Sequence, residues 1–487
     1  MRTCIVIGSG IAGIASSIRL SKMGYDVTVY EANSYPGGKL SEFKQGSYRF
    51  DAGPSLFTMP MFVDELFELC GENPHDYFNY IKLDEGCHYF YEDGTRFICP
   101  TNTNDFAELL NSQLGEDKKK VLRFLKNSAK MYDITKPVFL ENSLHKLGTY
   151  LNRNGIKGIL NLWRLRMFKT MNQVNSKTFN NSKTIQFFNR FATYNGSNPF
   201  KAPSTLNIIP HLEFGYGTFF PKKGMVDITN SLVSLAERQG VKFIYNQKVE
   251  EILLKKNKVS GVKVNGIEIS TDVLISNMDI SPTYKYLLPK VETPIRVKNL
   301  ESSSSALIFY WGISREFPEL DLHNIFFTEN YELEFSKIFQ DKTVGDDPTI
   351  YVNISSKYKK DDAPEGCENW FVMVNVPANE GQDWDDIIAE TRKNTISKLS
   401  RLLKVDLNAF IANESILDPR SIESKTSSYR GALYGSSSNH MMSAFFRHAN
   451  FSSSIDGLYF CGGSVHPGGG IPLCLLSAKI VSGLIKK

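Results

Sequence analysis

The first 39 residues constrain the fold of this chain more than any other stretch. Thr3–Ile7 has the pattern of a buried strand, residues 8–13 (GSGIAG) that of a tight turn opening a helix, and Val27–Tyr30 that of a second, parallel strand. In such a βαβ unit the glycines allow a sharp turn, the close approach of a pyrophosphate and close packing of helix on strand. The helix N-terminus adds free N–H groups and a partial positive charge, and Glu31 can accept hydrogen bonds from a ribose. The sequence therefore predicts a dinucleotide site formed by Gly8, Gly10, Ile11, Ala12, Gly13 and Glu31.

A second glycine-rich loop follows this unit. Pro36-Gly37-Gly38-Lys39 combines two adjacent glycines with a cation, which suits a second approach of the backbone to phosphates. The same four residues could form a solvated turn with an exposed lysine. Because Lys39 comes eight residues after Glu31, cofactor contact is the favoured interpretation.

Glycines also dominate the C-terminal segment. Leu458–Cys461 is predicted as a strand, residues 462–470 as a loop that contains His466, and Ile471-Pro472 as the start of a helix that runs to the C-terminus. Proline is favourable in the first helical turn because its missing N–H has no intrahelical partner there. This strand, loop and helix can pack on the first βαβ unit and still present a helix N-terminus to a ligand.

Composition and charge narrow the class of function. The chain has 487 residues, enough for two or more lobes, and its net charge of +4 is too small to indicate nucleic acid as a partner. The seven cysteines show no CxxC pair and no metal-ligand spacing, which favours a reducing compartment and no metal site. We expect no signal peptide and no transmembrane helix, so that any membrane contact is peripheral, on the cytoplasmic side.

Five motifs together resemble those of the carotenoid (phytoene-type) desaturases. They are GSGIAG, Glu31, PGGK, FDAGPS (residues 50–55) and CGGSVHPGGGIP (residues 461–472), and the resemblance covers nearly the whole chain. These desaturases are FAD enzymes whose fold is similar to that of the amine oxidases and protoporphyrinogen oxidase. The resemblance implies FAD as the cofactor, with further contacts from Gly37, Gly38, Lys39, Ser55, Val249, Gly462, Gly463, His466, Ile471 and Pro472. Lys39 stands where these families more often have arginine, and a lysine does not make a bidentate contact.

Three of these residues have more than one possible role. The resemblance implies that Val249 touches the adenine through its backbone, whereas its pattern alone is that of a core strand residue. His466 either contacts the flavin ring or hydrogen-bonds its own loop. A helix that begins at Ile471 and points at the ring would stabilise the negative charge that collects there on reduction.

The motifs and the hydrophobic periodicity predict an α/β fold. The resemblance implies that this is a Rossmann-like FAD-binding lobe of the amine-oxidase (GDI-like) type, with an inserted α+β substrate lobe and a helical membrane-facing part. The FAD lobe is predicted to be discontinuous, comprising residues 1–88, 221–285 and 426–487. The substrate-binding and membrane-facing lobe is predicted to comprise residues 89–220 and 286–425.

Residues 155–171 (GIKGILNLWRLRMFKTM) form a basic amphipathic segment within the second lobe. Apolar residues recur on one helical stripe and cations on another. Such a helix can lie in a membrane interface, or it can be an ordinary helix that packs on the core. Both interpretations stay open at this point.

The resemblance implies desaturation of a long apolar polyene. A hydride would pass from an allylic carbon to flavin N5 and a proton would leave the neighbouring carbon, forming a new conjugated double bond. No second GxGxxG stands between a strand and a helix, so the electrons are expected to leave to oxygen or a quinone. His211 and Glu213 are candidates for a catalytic base, although each can be a structural polar group and a base can be dispensable. Residues 192–203 (ATYNGSNPFKAP) are most similar to the branch that acts at the 3,4 position of hydroxylated or monocyclic carotenoids.

Three other functions remain possible for this fold. Two are enzymatic: a phytoene or diapophytoene desaturase, and a carotene isomerase that uses reduced flavin. The third is a flavin-less carrier similar to the GDP-dissociation inhibitors, which bind prenylated proteins. A carrier would be free to lose the phosphate-contacting glycines, and this chain keeps them all.

Overall fold

The structure is a computed structural model that describes residues 2–146, 148–151, 155 and 168–485. Its strands, in chain order, are β1 (Thr3–Ile7), β2 (Asp26–Tyr30), β3 (Glu42–Gln45), β4 (Tyr48–Asp51), β5 (Phe57–Thr58), β6 (Tyr80–Lys82), β7 (Glu85–Phe90), β8 (Arg96–Pro100), β9 (Thr218–Pro221), β10 (Lys242–Ile244), β11 (Val249–Lys255), β12 (Lys258–Val264), β13 (Ile267–Ser270), β14 (Val273–Ser276), β15 (Ser305–Ile313), β16 (His323–Phe326), β17 (Ile350–Asn353), β18 (Glu368–Val376), β19 (Ile411–Leu417) and β20 (Leu458–Phe460).

The longer helices are α1 (Ile11–Lys22), α2 (Met61–Cys70), α3 (Thr103–Leu114), α4 (Lys118–Thr135), α5 (Met171–Thr178), α6 (Ser182–Asn189), α7 (Val226–Arg238), α8 (Trp384–Leu403), α9 (Pro419–Thr426) and α10 (Ile471–Leu484). Shorter helical turns span Pro74–Asp76, Lys136–Leu140, Gly148–Leu151, Arg190–Asn195, Ser204–Ile208, Leu212–Tyr216, Ile280–Pro282, Thr283–Leu287, Ile295–Lys298, Tyr331–Ser336, Lys337–Asp341, Ser355–Lys357, Lys360–Asp362, Leu407–Phe410, Tyr429–Gly431 and Ser443–Phe446.

A five-stranded parallel sheet carries the first βαβ unit. Its order is β10-β2-β1-β14-β20, so it joins strands that are far apart in the sequence. Most residues of its central strands β1 and β14 are buried, as expected for a parallel sheet that is covered on both faces. Helices α1, α7 and α10 pack together in the largest apolar core, and the antiparallel sheet β11-β12-β13 shares a core with β1 and β14. The predicted βαβ unit and the C-terminal strand and helix are confirmed.

A seven-stranded mixed sheet forms the second large layer. Its order is β19-β15-β18-β17-β16-β7-β8, and the pair β16–β7 is parallel whereas the other pairs are antiparallel. Helix α8 packs on one part of it through Trp384 and Leu399, and α3, α4 and α6 pack around β7 and β8. Residues 85–88 therefore belong to this sheet through β7. The predicted lobe boundaries stay predictions, and sheet membership favours a first boundary just before Glu85.

The hairpin β3–β4 connects the two layers. Tyr48 and Phe50 pack against Tyr310 and Phe371 of the seven-stranded sheet. At the end of β4, Asp51 accepts hydrogen bonds from the backbone N–H groups of Met225 (3.0 Å) and Val226 (3.0 Å), where helix α7 begins. Asp51 is thus a helix cap that holds the hairpin to the parallel-sheet layer.

The basic amphipathic segment predicted at 155–171 falls almost entirely outside the described residues. Of that range the structure describes residue 155 and residues 168–171. Within the described part of the chain, every helix is too short or too polar to cross a bilayer.

Candidate cofactor and substrate cavity

A cavity of about 1640 Å³ is lined by residues of both large sheets. Common small-molecule pockets measure roughly 300–1,000 Å³. The volume therefore leaves room for a dinucleotide and a second molecule beside it. Its lining includes most of the predicted cofactor residues, namely Gly8, Gly10, Ile11, Ala12, Glu31, Gly37, Gly38, Lys39, Ser55, Val249, Gly462, Gly463, Ile471 and Pro472.

The two N-terminal glycine loops pack against each other at one end of this cavity. The backbone N–H of Gly37 donates to the carbonyl of Ser9 at 2.8 Å, and Gly10 and Gly37 form a parallel bridge. A Cβ on Gly37 would lie 2.2 Å from the carbonyl oxygen of Leu40, and its φ of +94° favours glycine. Only glycine fits here, which explains the PGG sequence.

Helix α1 presents an uncapped N-terminus to the cavity. In the described structure its N-cap, Gly10, makes no side-chain cap hydrogen bond, and its first turn contains no acidic residue. Ile11 and Ala12 of that turn line the cavity. The first N–H groups of a helix need acceptors from outside it. Together with the partial positive charge, they make this end of the cavity suitable for a phosphate group.

Glu31 lies at the carboxyl end of β2 with both carboxylate oxygens fixed. One oxygen accepts hydrogen bonds from the backbone N–H and the hydroxyl of Ser9, both at 2.8 Å. The other accepts from the backbone N–H of Asn33 at 2.9 Å and from its side-chain amide at 3.0 Å. The side chain lines the cavity, so an oriented acceptor faces the position expected for a ribose.

Asn277 is a central site residue that the sequence reasoning did not identify. Its backbone N–H donates to Ile7 at 2.8 Å, and its side-chain amide donates to the carbonyl of Cys461 at 3.2 Å. A Cβ on Gly10 would lie 2.6 Å from its Oδ1, and one on Gly462 would lie 2.7 Å from its Nδ2. Asn277 thereby joins the first glycine turn to the C-terminal loop. Asn277 directly follows β14, which pairs with β1 in the sheet. This position is the feature of the sequence from which its role could have been predicted.

The C-terminal loop closes this end of the cavity. Helix α10 starts at Ile471 after Gly470, and Ile471 and Pro472 line the cavity together with Gly462 and Gly463. A second helix N-terminus therefore lies at the cavity, as predicted.

A sequence profile of the flavin-containing amine oxidoreductases matches residues 11–486. The chain belongs to this family. A 1-hydroxycarotenoid 3,4-desaturase from Flavobacterium sp. (strain P99-3) is 50% identical over 485 residues, covering 100% of this chain and 99% of the relative. A 4,4'-diaponeurosporene oxygenase from Staphylococcus aureus (strain bovine RF122 / ET3-1) is 31% identical over 486 residues, covering 99% and 97%. The recognition made from the motifs is confirmed, and membership in an oxidoreductase family disfavours the flavin-less carrier.

Solved amine oxidases share the fold of this flavin-containing oxidoreductase. Putrescine oxidase bound to putrescine has a TM-score of 0.62 at 14% identity, covering 99% of this chain and 98% of the other. Cyclohexylamine oxidase from Brevibacterium oxydans IH-35A has a TM-score of 0.62 at 13% identity, with the same coverage. The predicted fold class is confirmed, and FAD is the cofactor of the family. The glycine turn, the uncapped helix and Glu31 fit a dinucleotide, because they provide N–H donors and space at one end and a carboxylate beside them.

Lys39 is half-buried, and its ammonium group is directed at backbone carbonyls. Its Nζ donates to the carbonyls of Leu433 at 2.9 Å and Ala432 at 3.3 Å. Burial lowers the pKa of Lys39, and the nearby carboxylate of Asp279 opposes this shift. Lys39 therefore ties the second glycine loop to the segment before the C-terminal loop, while still lining the cavity.

The structure does not bring every predicted site residue to the cavity. Gly13 packs beneath the turn, where its Cβ would lie 2.2 Å from the carbonyl oxygen of Gly8, which is the packing role expected for the third glycine. His466 is buried and its Nε2 lies 2.9 Å from the carbonyl oxygen of Asn142. Neither Gly13 nor His466 lines the cavity that the described residues form.

The structure separates the two candidates for a base. His211 packs between Tyr132 and Tyr216, with ring centroids 5.3 and 5.2 Å away, and burial lowers its pKa. It is absent from the cavity lining formed by the described residues, whereas Glu213 is part of that lining.

The burial of His466 gives a pH-dependent stability that can be measured by substitution. Burial lowers the pKa of His466 to about 3. Above the pKa of the unfolded state, the neutral ring contributes its full stabilisation to the folded protein. As the pH falls toward 3, the unfolded state binds a proton that the folded state does not, and this contribution to the free energy of unfolding is lost. Compared with His466→Gln, the wild type should lose about 2 kcal/mol of unfolding free energy between about pH 7 and pH 5. Urea unfolding of both proteins at the two pH values measures this difference. An unchanged difference would contradict a buried, neutral His466.

Proposed function

We propose that this flavoenzyme desaturates a hydroxylated carotenoid, introducing a double bond at the 3,4 position. The observation that carries the proposal is the cavity, which continues from the dinucleotide turn to an apolar and aromatic wall. That wall is formed by Ile308, Tyr310, Ile325, Tyr331, Phe371 and Met373. A long apolar polyene needs such a lining along its length. The 50% identity with the hydroxycarotenoid desaturase supports the same conclusion.

In this proposal the chain contributes mainly binding and orientation. The two glycine loops, the N-terminus of α1, Glu31 and the backbone of Val249 would hold the dinucleotide, and the N-terminus of α10 would face its ring. When bound, FAD supplies the acceptor for a hydride, whose two electrons then pass to oxygen or a quinone. The walls hold the polyene against the ring and exclude water. Of the two predicted base candidates, Glu213 lines the cavity formed by the described residues and His211 does not, which supports contact of Glu213 with the substrate.

Feeding one carotenoid at a time tests the proposal. With a hydroxylated, partly unsaturated carotenoid we expect the polyene absorption to shift to the red and the product to lose two hydrogens by mass. An absorption that stays in place while the geometry changes would favour the isomerase. A gain of oxygen would favour the activity for which the 31% identical relatives are named. Conversion of phytoene alone would favour the other desaturase class.

We also propose that the protein lies peripherally on the cytoplasmic face of a membrane, from which an apolar substrate would enter. Two large apolar side chains beside the segment 152–167 support this: Leu151 is 77% exposed and Phe168 is 85% exposed. Lys146 lies shortly before Leu151 in the sequence and Lys169 directly follows Phe168, so a cation for contact with anionic lipid stands beside each apolar side chain. Exposed apolar residues flanked by cations are typical of interfacial contact.

A double substitution Leu151→Asp and Phe168→Asp should weaken binding to anionic liposomes at least tenfold. Inserting two such side chains is worth about 1.5–3 kcal/mol each when fully buried, so partial insertion suffices for that loss. Liposome co-sedimentation measures the effect. Leu333→Asp is the matched control, because Leu333 is 52% exposed on a different helix. Equal binding by all three proteins would rule out insertion at these two positions.

A further inference from the structure

We infer that Glu213 binds the hydroxyl group of the polyene, positioned by Arg190 and Tyr194. This inference rests on the proposed function, because it requires a hydroxylated substrate. We call Glu213, Arg190 and Tyr194 the carboxylate cluster. In this inference the cluster selects the substrate class. Glu213 would act as a hydrogen-bond acceptor for the substrate O–H.

The carboxylate cluster lies in the cavity wall and is almost dry. Arg190 is 7% exposed and Glu213 is 9% exposed, and both line the cavity with Tyr194. The Nη2 of Arg190 lies 3.3 Å from each carboxylate oxygen of Glu213. The hydroxyl of Tyr194 donates to Oε1 of Glu213 alone. Oε2 therefore has fewer protein donors than Oε1 and is the better acceptor for a ligand.

Aromatic rings hold the guanidinium of Arg190 in place. Its central carbon lies 4.4 Å from the ring centroid of Phe191, 5.4 Å from that of Tyr89 and 5.6 Å from that of Phe187. Its Nε is buried without a hydrogen-bond partner among the described residues. Arg190 is thus fixed by stacking, and it in turn fixes the carboxylate of Glu213.

A second polar chain lies in the same wall. The hydroxyl of Ser55 lies 2.8 Å from that of Tyr351, which lies 2.7 Å from Nδ1 of His323. All three residues line the cavity. Burial and the charge of Arg190 lower the pKa of His323, so its ring is neutral at pH 7. These groups give a bound hydroxyl both donors and acceptors nearby.

The carboxylate cluster is hard to explain by stability alone. A buried ion pair often stabilises a fold no better than apolar residues of the same volume. An aliphatic or aromatic wall would suit a plain hydrocarbon better. A site built to hydrogen-bond a substrate hydroxyl, by contrast, strongly rejects the analogue that lacks it. We therefore assign the carboxylate cluster to substrate selection.

Three probes and two variants test the inference through equilibrium binding to the FAD-loaded protein in detergent micelles. The probes are a carotenoid with one terminal hydroxyl, the same carotenoid without it, and its methyl ether. The ether keeps the oxygen but cannot donate. The wild type should bind the hydroxyl form roughly 10- to 100-fold more tightly than the other two, the usual worth of a hydrogen bond to a charged group.

Glu213→Gln should reverse the preference between the alcohol and the ether. The hydroxyl of Tyr194 would keep the amide oxygen at the Oε1 position, which places the NH₂ group at the Oε2 position. That group can donate to an ether oxygen. We expect the variant to bind the ether at least as tightly as the alcohol, a gain that misfolding cannot produce. Glu368→Gln is the matched control, a buried Glu paired with Lys357 at 2.6 Å outside the cavity lining, and should keep the wild-type order.

The outcomes separate this inference from the proposed function. Equal binding of alcohol and hydrocarbon by the wild type, with desaturation of both, would overturn the inference and leave the desaturase intact. A wild-type preference that Glu213→Gln retains would also overturn it. Failure to desaturate any of the carotenoids, with the hydroxyl preference present, would instead overturn the proposed function.

Discussion

A Gly13→Ala variant is expected to be nearly colourless when purified, because it should no longer retain FAD. Its Cβ would lie 2.2 Å from the carbonyl oxygen of Gly8 and 3.0 Å from Oδ1 of Asn277. Gly8 belongs to the turn that forms the phosphate end of the cavity, and Asn277 packs against that turn. Helix α1 would have to move away from β1, and an overpacked core of this kind costs about 1–3 kcal/mol. We expect at least a tenfold loss of FAD affinity, measured as flavin absorbance per protein after gel filtration.

The control for this variant is Gly483→Ala in helix α10. No heavy atom of the described residues lies within 4 Å of a Cβ at Gly483, and the backbone there is helical. We expect wild-type flavin content and a gain of up to about 1 kcal/mol in unfolding free energy. Gly13→Ala with wild-type flavin content and affinity would show that close packing of α1 on β1 is unnecessary for the cofactor.

Arg49→Met should destabilise the protein by about 3–5 kcal/mol, because among the described residues it leaves buried Asp51 without a cation and buried Asp362 with Lys359 alone. Arg49 contacts Asp51 at 2.7 Å and Asp362 at 3.0 Å, and these two side chains are 5% and 0% exposed. Asp51 also caps α7, so the loss should extend to the parallel-sheet layer. Urea unfolding followed by circular dichroism measures the change.

The pH dependence of this destabilisation identifies its cause. Burial raises the pKa of Asp362 and Arg49 opposes that shift, so without Arg49 the carboxyl should bind a proton more readily. The penalty of Arg49→Met should therefore shrink on going from about pH 8 to pH 5. A penalty that is independent of pH would indicate lost packing of the arginine stem instead. Lys298→Met is the exposed comparison, because Lys298 and Glu292 are 50% and 89% exposed, and it should cost less than about 1 kcal/mol.

Local sequence patterns predicted the parts of the site that are built from consecutive residues. The strand and turn at residues 3–13 follow from glycine spacing and hydrophobic periodicity. The same holds for the start of α10 at Ile471, where a proline follows a glycine-rich loop.

The other parts of the site depend on contacts between distant residues, which periodicity does not encode. Asn277 reaches the first glycine turn because β14 pairs with β1, about 270 residues earlier in the chain. Glu213 meets Arg190 across two short helical turns. The glycine-rich loop around His466 predicts a contact of this residue with the flavin or with the loop itself. In the structure its Nε2 lies 2.9 Å from the carbonyl oxygen of Asn142, whereas Gly462 and Gly463 of the same loop line the cavity.

Anaerobic mixing of the FAD-loaded protein with a hydroxylated carotenoid in liposomes tests the central claim most directly. We expect the absorbance of the oxidised flavin to bleach in one phase while the polyene absorption moves to the red, with one flavin reduced per double bond formed. A flavin that stays oxidised with every carotenoid offered, in a preparation that holds FAD at full stoichiometry, would contradict the assignment of this cavity to polyene desaturation.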